Sequence, residues 1–192
     1  MALFLVKWEK RGEMGSMIYI IMGPSGSGKT EVGEYLKSIG IKELVSHTTR
    51  APRTGEKDGE AYHFVDEQSF LDVDKVEGSM YAGNRYGVSR EEVERKTSEG
   101  DVFAVTDING ARAFSALYKE DVRIIYISAS PKILRKRMKK RGDSRKAIRK
   151  RFQNYINNRE TLNRFFSDII IDNSYSRRTL IRFVNHAIKV IK

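Results

Sequence analysis

Apolar residues in this chain come in short dense runs that alternate with amphipathic stretches. Residues 17–22, Met-Ile-Tyr-Ile-Ile-Met, form an unbroken run rich in β-branched and aromatic side chains, the pattern of a buried strand. A glycine-rich turn follows, and residues 31–38 read as a helix. Further strands are predicted over 101–106, 123–127 and 168–171, with helices over 109–118 and 176–192. This alternation builds a parallel sheet with crossover helices, an α/β fold. Residues 42–88 interrupt the series with short strands at 62–65 and 80–82 and turns at Gly55 and Gly59, and read as a small β-rich lobe. Ser89-Arg90-Glu91-Glu92 has the form of a capping box and starts the helix that returns the chain to the sheet.

Pro131 opens another helix, because proline is tolerated in a first helical turn. Ile133, Leu134 and Met138 give it an apolar stripe, while Arg137 and Arg141, four apart, share a different face. Gly142-Asp143 breaks the pattern, and Ile148, Phe152 and Ile156 then predict a second amphipathic helix that carries Arg151. Helix, break and basic helix together read as a hinged flap. Charge sharpens this reading. Between residues 132 and 151 stand twelve basic residues against the single acid Asp143, which accounts for the whole net charge of +11. The rest of the chain is neutral, so the pattern is that of one cationic lid and not of a general polyanion binder. Most of the twelve are expected on a solvated helix face.

The 192 residues, 40% of them hydrophobic, suffice for one substantial core. No cysteine is present, which excludes a disulfide framework and a thiolate zinc site and fits a cytoplasmic setting. His47, His63 and His186 are too scattered to form a metal cluster. Residues 1–16 start with six apolar residues followed by charges, too few for a signal peptide core or a membrane span. We set this leader outside the fold argument; vector sequence, an upstream start and a flexible arm all stay open as its origin.

The chemistry concentrates in Gly23-Pro24-Ser25-Gly26-Ser27-Gly28-Lys29-Thr30, which fills every fixed position of the phosphate-loop pattern G-x-x-x-x-G-K-S/T. The glycines let the backbone aim successive N–H groups at phosphate oxygens, and the following helix start adds its partial positive charge. Lys29 is expected to reach the β and γ phosphates of a nucleoside triphosphate and Thr30 to offer its hydroxyl to Mg²⁺. A chance Gly/Ser turn is the bland alternative, and the strand directly before the loop argues against it.

Beyond the loop, the run Ser46-His47-Thr48-Thr49-Arg50-Ala51-Pro52-Arg53, then Tyr62, Glu77, Gly83-Asn84-Arg85-Tyr86-Gly87, Asp107-Ile108-Asn109-Gly110 and the lid arginines appear in order. Through these motifs the chain, from Met17 to about Ile188, resembles a guanylate kinase. The resemblance implies a three-layer P-loop kinase fold. Its core would comprise residues 17–41, 90–131 and 165–192, with an acceptor-binding lobe at 42–89 and a lid at about 132–160. It implies Mg²⁺-dependent transfer of the γ-phosphoryl of ATP to GMP or dGMP in purine nucleotide metabolism. A monomer or homodimer is expected, with no specific nucleic acid and no membrane partner.

By the same resemblance Arg50, Arg53, Tyr62 and Tyr86 hold the acceptor's phosphate, and Glu77 accepts the adjacent N1–H and N2–H of guanine. Ser46 donates to O6, and Asp107 serves the amino side or the metal. Gly23, Ser25, Gly26, Ser27, Gly28, Lys29 and Thr30 surround the donor phosphates, Asn173 meets the donor adenine, and Arg137, Arg141 and Arg151 join Lys29 around the transferring group. Two positions depart from the family pattern. Val88 stands where many members carry Ser or Thr, and Val105 where an additional acid is common, which leaves Asp107 as the acid of that strand. Two rival readings remain at this point: a scaffold domain that binds phosphorylated peptides, and a kinase for another phosphorylated small molecule.

Overall fold

The structure is a computed structural model and describes residues 3–5, 15–81, 83–157 and 159–191. The chain begins with strands β1 (Leu3–Leu5) and β2 (Ile18–Met22), then helix α1 (Lys29–Ser38) and the two-residue strand β3 (Lys42–Glu43). The lobe follows with β4 (His47–Thr48), β5 (His63–Phe64), α2 (Glu67–Asp72), β6 (Lys75–Tyr81) and β7 (Asn84–Ser89). The return to the core uses α3 (Arg90–Thr97), β8 (Val102–Val105), α4 (Ile108–Tyr118) and β9 (Val122–Ser128). The segment read from the sequence as a lid consists of α5 (Pro131–Lys140) and α6 (Arg145–Asn157), before β10 (Ile169–Asp172) and α7 (Arg177–Ile191).

The central sheet has the order β1-β10-β9-β2-β8-β3. Strands β10, β9, β2, β8 and β3 pair in parallel, and only β1 runs antiparallel, with Leu3 opposite Ile171. All five residues of β2 are buried, which explains its unbroken apolar run. Tyr19 and Ile21 face a core completed by Val32 and Leu36 of α1 and Leu180 and Val184 of α7. Ile18, Ile20 and Met22 face the opposite core, with Val93 of α3 and Ala111 and Phe114 of α4. Helices therefore cover both faces, giving three layers. Because β9 and β8 flank β2 on opposite sides, the carboxyl end of β2 is a topological switch point, where such sheets open a crevice.

A second sheet, β5-β4-β7-β6, forms the lobe. It starts at His47; Lys42–Glu43, counted with the lobe in the sequence reading, pairs with β8 in the central sheet. Helix α2 is an element the sequence reading lacks, a six-residue helix capped by the Asp66 side chain on Ser69 N–H at 2.7 Å. Leu3–Leu5, set outside the fold argument above, lies on the edge of β10. In the lid, Leu134, Met138 and Phe152 form a small core of their own, but Ile156 is 64% exposed, so the predicted stripe of α6 ends one turn early.

The capping box forms in one direction only. Ser89 Oγ accepts from Glu92 N–H at 3.1 Å, while the Glu92 carboxylate turns away to accept from Val45 N–H at 2.8 Å. It also pairs with Lys96 and Arg95, each at 2.6 Å. Burial opposes ionisation of this 3% exposed group, yet its bonds from Lys96, Val45 N–H and Arg95 hold its pKa below the usual range. Glu92 thus fastens the start of the lobe to α3. Replacing Glu92 with Gln should cost about 2 kcal/mol at pH 7 in urea unfolding. The pKa is depressed on folding, so this stabilisation is complete above about pH 4.3 and fades as pH falls through the folded value. The stability gap between wild type and variant should therefore narrow on acidification.

Candidate active site

The loop after β2 turns on glycine. Gly23, Gly26 and Gly28 take φ of +143°, +83° and +107°, in the region that only glycine enters freely. A Cβ at Gly23 would stand 2.2 Å from the Ile127 carbonyl oxygen, and one at Gly28 would stand 2.4 Å from Asn173 Nδ2. Ser27 N–H donates to the Pro24 carbonyl at 3.1 Å. Among the described residues the amides of Ser25, Gly26, Gly28, Lys29 and Thr30 have no acceptor. Free N–H groups gathered at the positive end of a ten-residue helix make an anion site. Lys29 Nζ donates to the carbonyls of Gly23 and Pro24 at 2.6 and 3.2 Å. Burial lowers its pKa to about 8, with Glu160 opposing the shift and Arg141 and Arg151 adding to it.

The back of the loop is clamped. Asn173, 2% exposed, donates from Nδ2 to the Ser27 carbonyl at 2.7 Å. Arg137 donates to the same carbonyl at 3.2 Å and to the Asn173 carbonyl at 2.9 Å. The carboxamide of Asn173 is therefore engaged with the loop, a contact the sequence reading does not anticipate. Of the lid arginines, Arg151 reaches the cleft and donates to Ser25 Oγ at 2.9 Å. Arg141 is engaged with Asp143 at 3.0 and 2.6 Å, and Arg137 lies under the loop, outside the cleft lining.

A cleft of about 1030 Å³ runs from this loop to the lobe, walled by Gly23, Ser25 and Lys29 at one end. Ser46, Arg50, Arg53, Tyr62, Glu77, Tyr86 and Asp107 all line it, so every predicted acceptor residue comes to one place. Arg50 lies over the rings of Tyr62 and Phe64, at 5.2 and 5.7 Å from their centroids, and the ring of Tyr86 meets Tyr62 edge-on at 5.7 Å. Deeper in, Glu77 pairs with Val88 across β6 and β7. Burial raises the Glu77 pKa to about 7, the neighbouring Asp107 adds to the rise, and the Val88 N–H bonded to the carboxyl opposes it. Val88 contributes its backbone to the site while its side chain, 3% exposed, belongs to the core.

Asp107 caps α4, with Oδ1 accepting from Asn109 and Gly110 N–H at 2.8 and 3.1 Å. Its other oxygen makes no hydrogen bond among the described residues. Thr30 is exposed at the start of α1 and does not line the cleft. Among the described residues there is no cluster of three or more His, Asp or Glu that could cage a metal ion. Two hard oxygen donors beside a phosphate site do suit Mg²⁺, which keeps its waters and binds chiefly through phosphates.

The sequence reading misses Glu56, Ser79 and Glu160, which line the same cleft. Glu160 arrives after the left-handed Arg159, φ +47°, and its backbone carbonyl accepts from the Tyr126 hydroxyl at 3.0 Å. Burial raises its pKa, with Lys29 opposing. Glu56 follows Gly55, whose turn is visible in the sequence although the target of the carboxylate is not. At Gly28, where both the φ and the Asn173 contact exclude a side chain, Ala should cost about 2 kcal/mol or more in thermal unfolding. The measured melting temperature should fall accordingly.

A family model described as guanylate kinase matches residues 15–185. The guanylate kinase of Desulfotalea psychrophila is 32% identical over 176 residues, covering 87% of each chain. That of Vibrio cholerae is 39% identical over 140 residues, covering 68% of each. Among solved structures, guanylate kinase from Anaplasma phagocytophilum superposes with a TM-score of 0.63 at 28% identity, over 92% of this chain and 85% of the other. With a family model matched over residues 15–185 and relatives alike over most of their length, this chain belongs to the guanylate kinase family.

Proposed function

We propose that the protein transfers the γ-phosphoryl group of ATP to GMP, and to dGMP, giving ADP and GDP or dGDP. The observation that carries this reading is the single cleft with Lys29 and the glycine loop at one end and Arg50, Arg53, Tyr62, Tyr86 and Glu77 at the other. The acceptor nucleophile is already an anionic phosphate oxygen, so no covalent enzyme intermediate is required. Catalysis then consists of aligning two anions and neutralising their repulsion in a dry site. The loop amides and Lys29 bind the donor phosphates, Arg151 reaches over them from α6, and Arg141, though paired with Asp143, adds positive potential near Lys29. Arg50 and Arg53 present forked donors to the acceptor phosphate, and the two tyrosines add donors without charge. Thr30 and Asp107 are the residues that would hold Mg²⁺, through water where needed; when bound, the ion neutralises charge on the transferring group.

Guanine selection rests on Glu77. An ionised carboxylate accepts the adjacent N1–H and N2–H of guanine together, whereas adenine offers an acceptor at N1 and would leave the acid unpaired. Ser46 serves O6. The Val88 amide helps to orient Glu77, while the Val88 side chain offers no hydroxyl to the base.

Mg²⁺-dependent ADP release should occur with GMP and dGMP and not with AMP, CMP or UMP, and Lys29→Ala should slow it on the order of 10²–10³-fold. No turnover with any nucleotide would reject the assignment. GMP affinity should also depend on Glu77 ionisation. Its pKa in the free protein is about 7, and only the carboxylate accepts both donors, so affinity should fall as pH drops below 7. The slope should approach tenfold per pH unit once corrected by a Glu77→Gln variant, which retains only the titration of the nucleotide phosphate.

A further inference from the structure

Glu56 occupies the donors that the proposed function reserves for the acceptor's phosphate. Its carboxylate accepts from Arg50 Nη2 through Oε1 and Oε2, at 3.0 and 2.9 Å, and from the Arg53 backbone N–H through Oε2 at 2.8 Å. The acid is delivered by a tight turn in which Glu56 N–H donates to the Arg53 carbonyl at 3.0 Å, with Gly55 at φ +88°. The pair is shielded: the Arg50 and Glu56 side chains are 13% and 22% exposed, and both line the cleft.

Two features separate a competitor from a strut. Arg50 is placed without help from Glu56, because its guanidinium lies over the Tyr62 and Phe64 rings and its Nη1 donates to the Ala51 carbonyl at 2.8 Å. Glu56 in turn can release Arg50, together with the Arg53 N–H, by side-chain rotation, since the Glu56 N–H bond to the Arg53 carbonyl keeps the turn closed. A second anion arriving at Arg50 would stand within a few ångströms of the carboxylate, at a repulsion that excludes joint occupancy in a half-shielded site.

We infer that Glu56 is a resident stand-in for the acceptor's phosphate, a specificity residue that an incoming ligand must displace from Arg50. The inference rests on the proposed reading of Arg50 and Arg53. A phosphate monoester dianion displaces the carboxylate because it brings a second charge and a third oxygen, and so recruits the Arg53 side chain, Tyr62 and Tyr86 together. Guanosine brings no group able to do so, and a monoanion exchanges one charge for another without gain. After transfer, the return of Glu56 to Arg50 favours product departure.

The test compares wild type, Glu56→Gln and Glu56→Ala by calorimetric titration with inorganic phosphate and by steady-state kinetics with varied GMP. If Glu56 holds Arg50 for most of the time in the free protein, both variants should bind phosphate about threefold to tenfold more tightly. The KM for GMP should fall by a similar factor, with a smaller effect on kcat. Unchanged or weaker phosphate binding in both variants would overturn the inference and make Glu56 a strut for Arg50. The two readings fail separately: absence of GMP turnover by wild type rejects the proposed activity, whereas the phosphate affinities still decide what Glu56 does.

Discussion

One carbonyl oxygen organises the functional half of this molecule. Ser27 O accepts from Asn173, at the end of β10, and from Arg137, on the first lid helix. With its oxygen held from behind, the peptide plane that follows turns its N–H forward, toward the mouth of the loop. A loop whose job is to bind anions with bare amides needs such a clamp, because the same amides repel one another when no ligand is present. The clamp also dictates composition: Asn173 fills the volume that a side chain at position 28 would need, and a Cβ at Gly26 would stand 3.2 Å from the Leu134 carbonyl oxygen of α5. The loop, the last strand and the lid are therefore one mechanical unit, even though residues 137 and 173 are far from residue 27 in the chain.

The acceptor end follows a different logic. Here Arg50 and Glu77 are half-buried at a small sheet, while Asp107 stands exposed at the start of α4. Arg50 rests on aromatic rings and a carboxylate, Glu77 is held by a backbone amide and pushed toward its neutral form by burial, and Asp107 is partly spent on capping α4. Charges that are individually costly to bury are thereby kept ready without a bound partner.

Much of this was legible in the chain, for identifiable physical reasons. The strand β2 is readable because both of its faces are buried, so periodicity collapses into a solid apolar run. The loop is readable because backbone φ above zero leaves glycine as a visible trace. Elements whose stability comes from elsewhere were not legible: the two residues of β3 are a strand only because β8 lies beside them, and α2 has six residues and a side-chain cap. Ile156 sits at helical spacing from Phe152, yet the lid core does not extend far enough to cover it. The second duties of Asn173, Arg137 and Glu56 depend on where carbonyls and guanidinium groups point, which residue spacing does not encode.

The distribution of charge has a further consequence for the lid. Residues 132–151 carry the net charge of the whole chain, so α5 and α6 set a concentrated electric field beside the cleft as well as a wall. That field extends into solvent over a Debye length, roughly 8 Å at physiological ionic strength, and attracts polyanionic ligands from beyond contact range. The two helices are in this sense an antenna as well as a wall, and the attraction they exert on a charged nucleotide weakens as ionic strength rises.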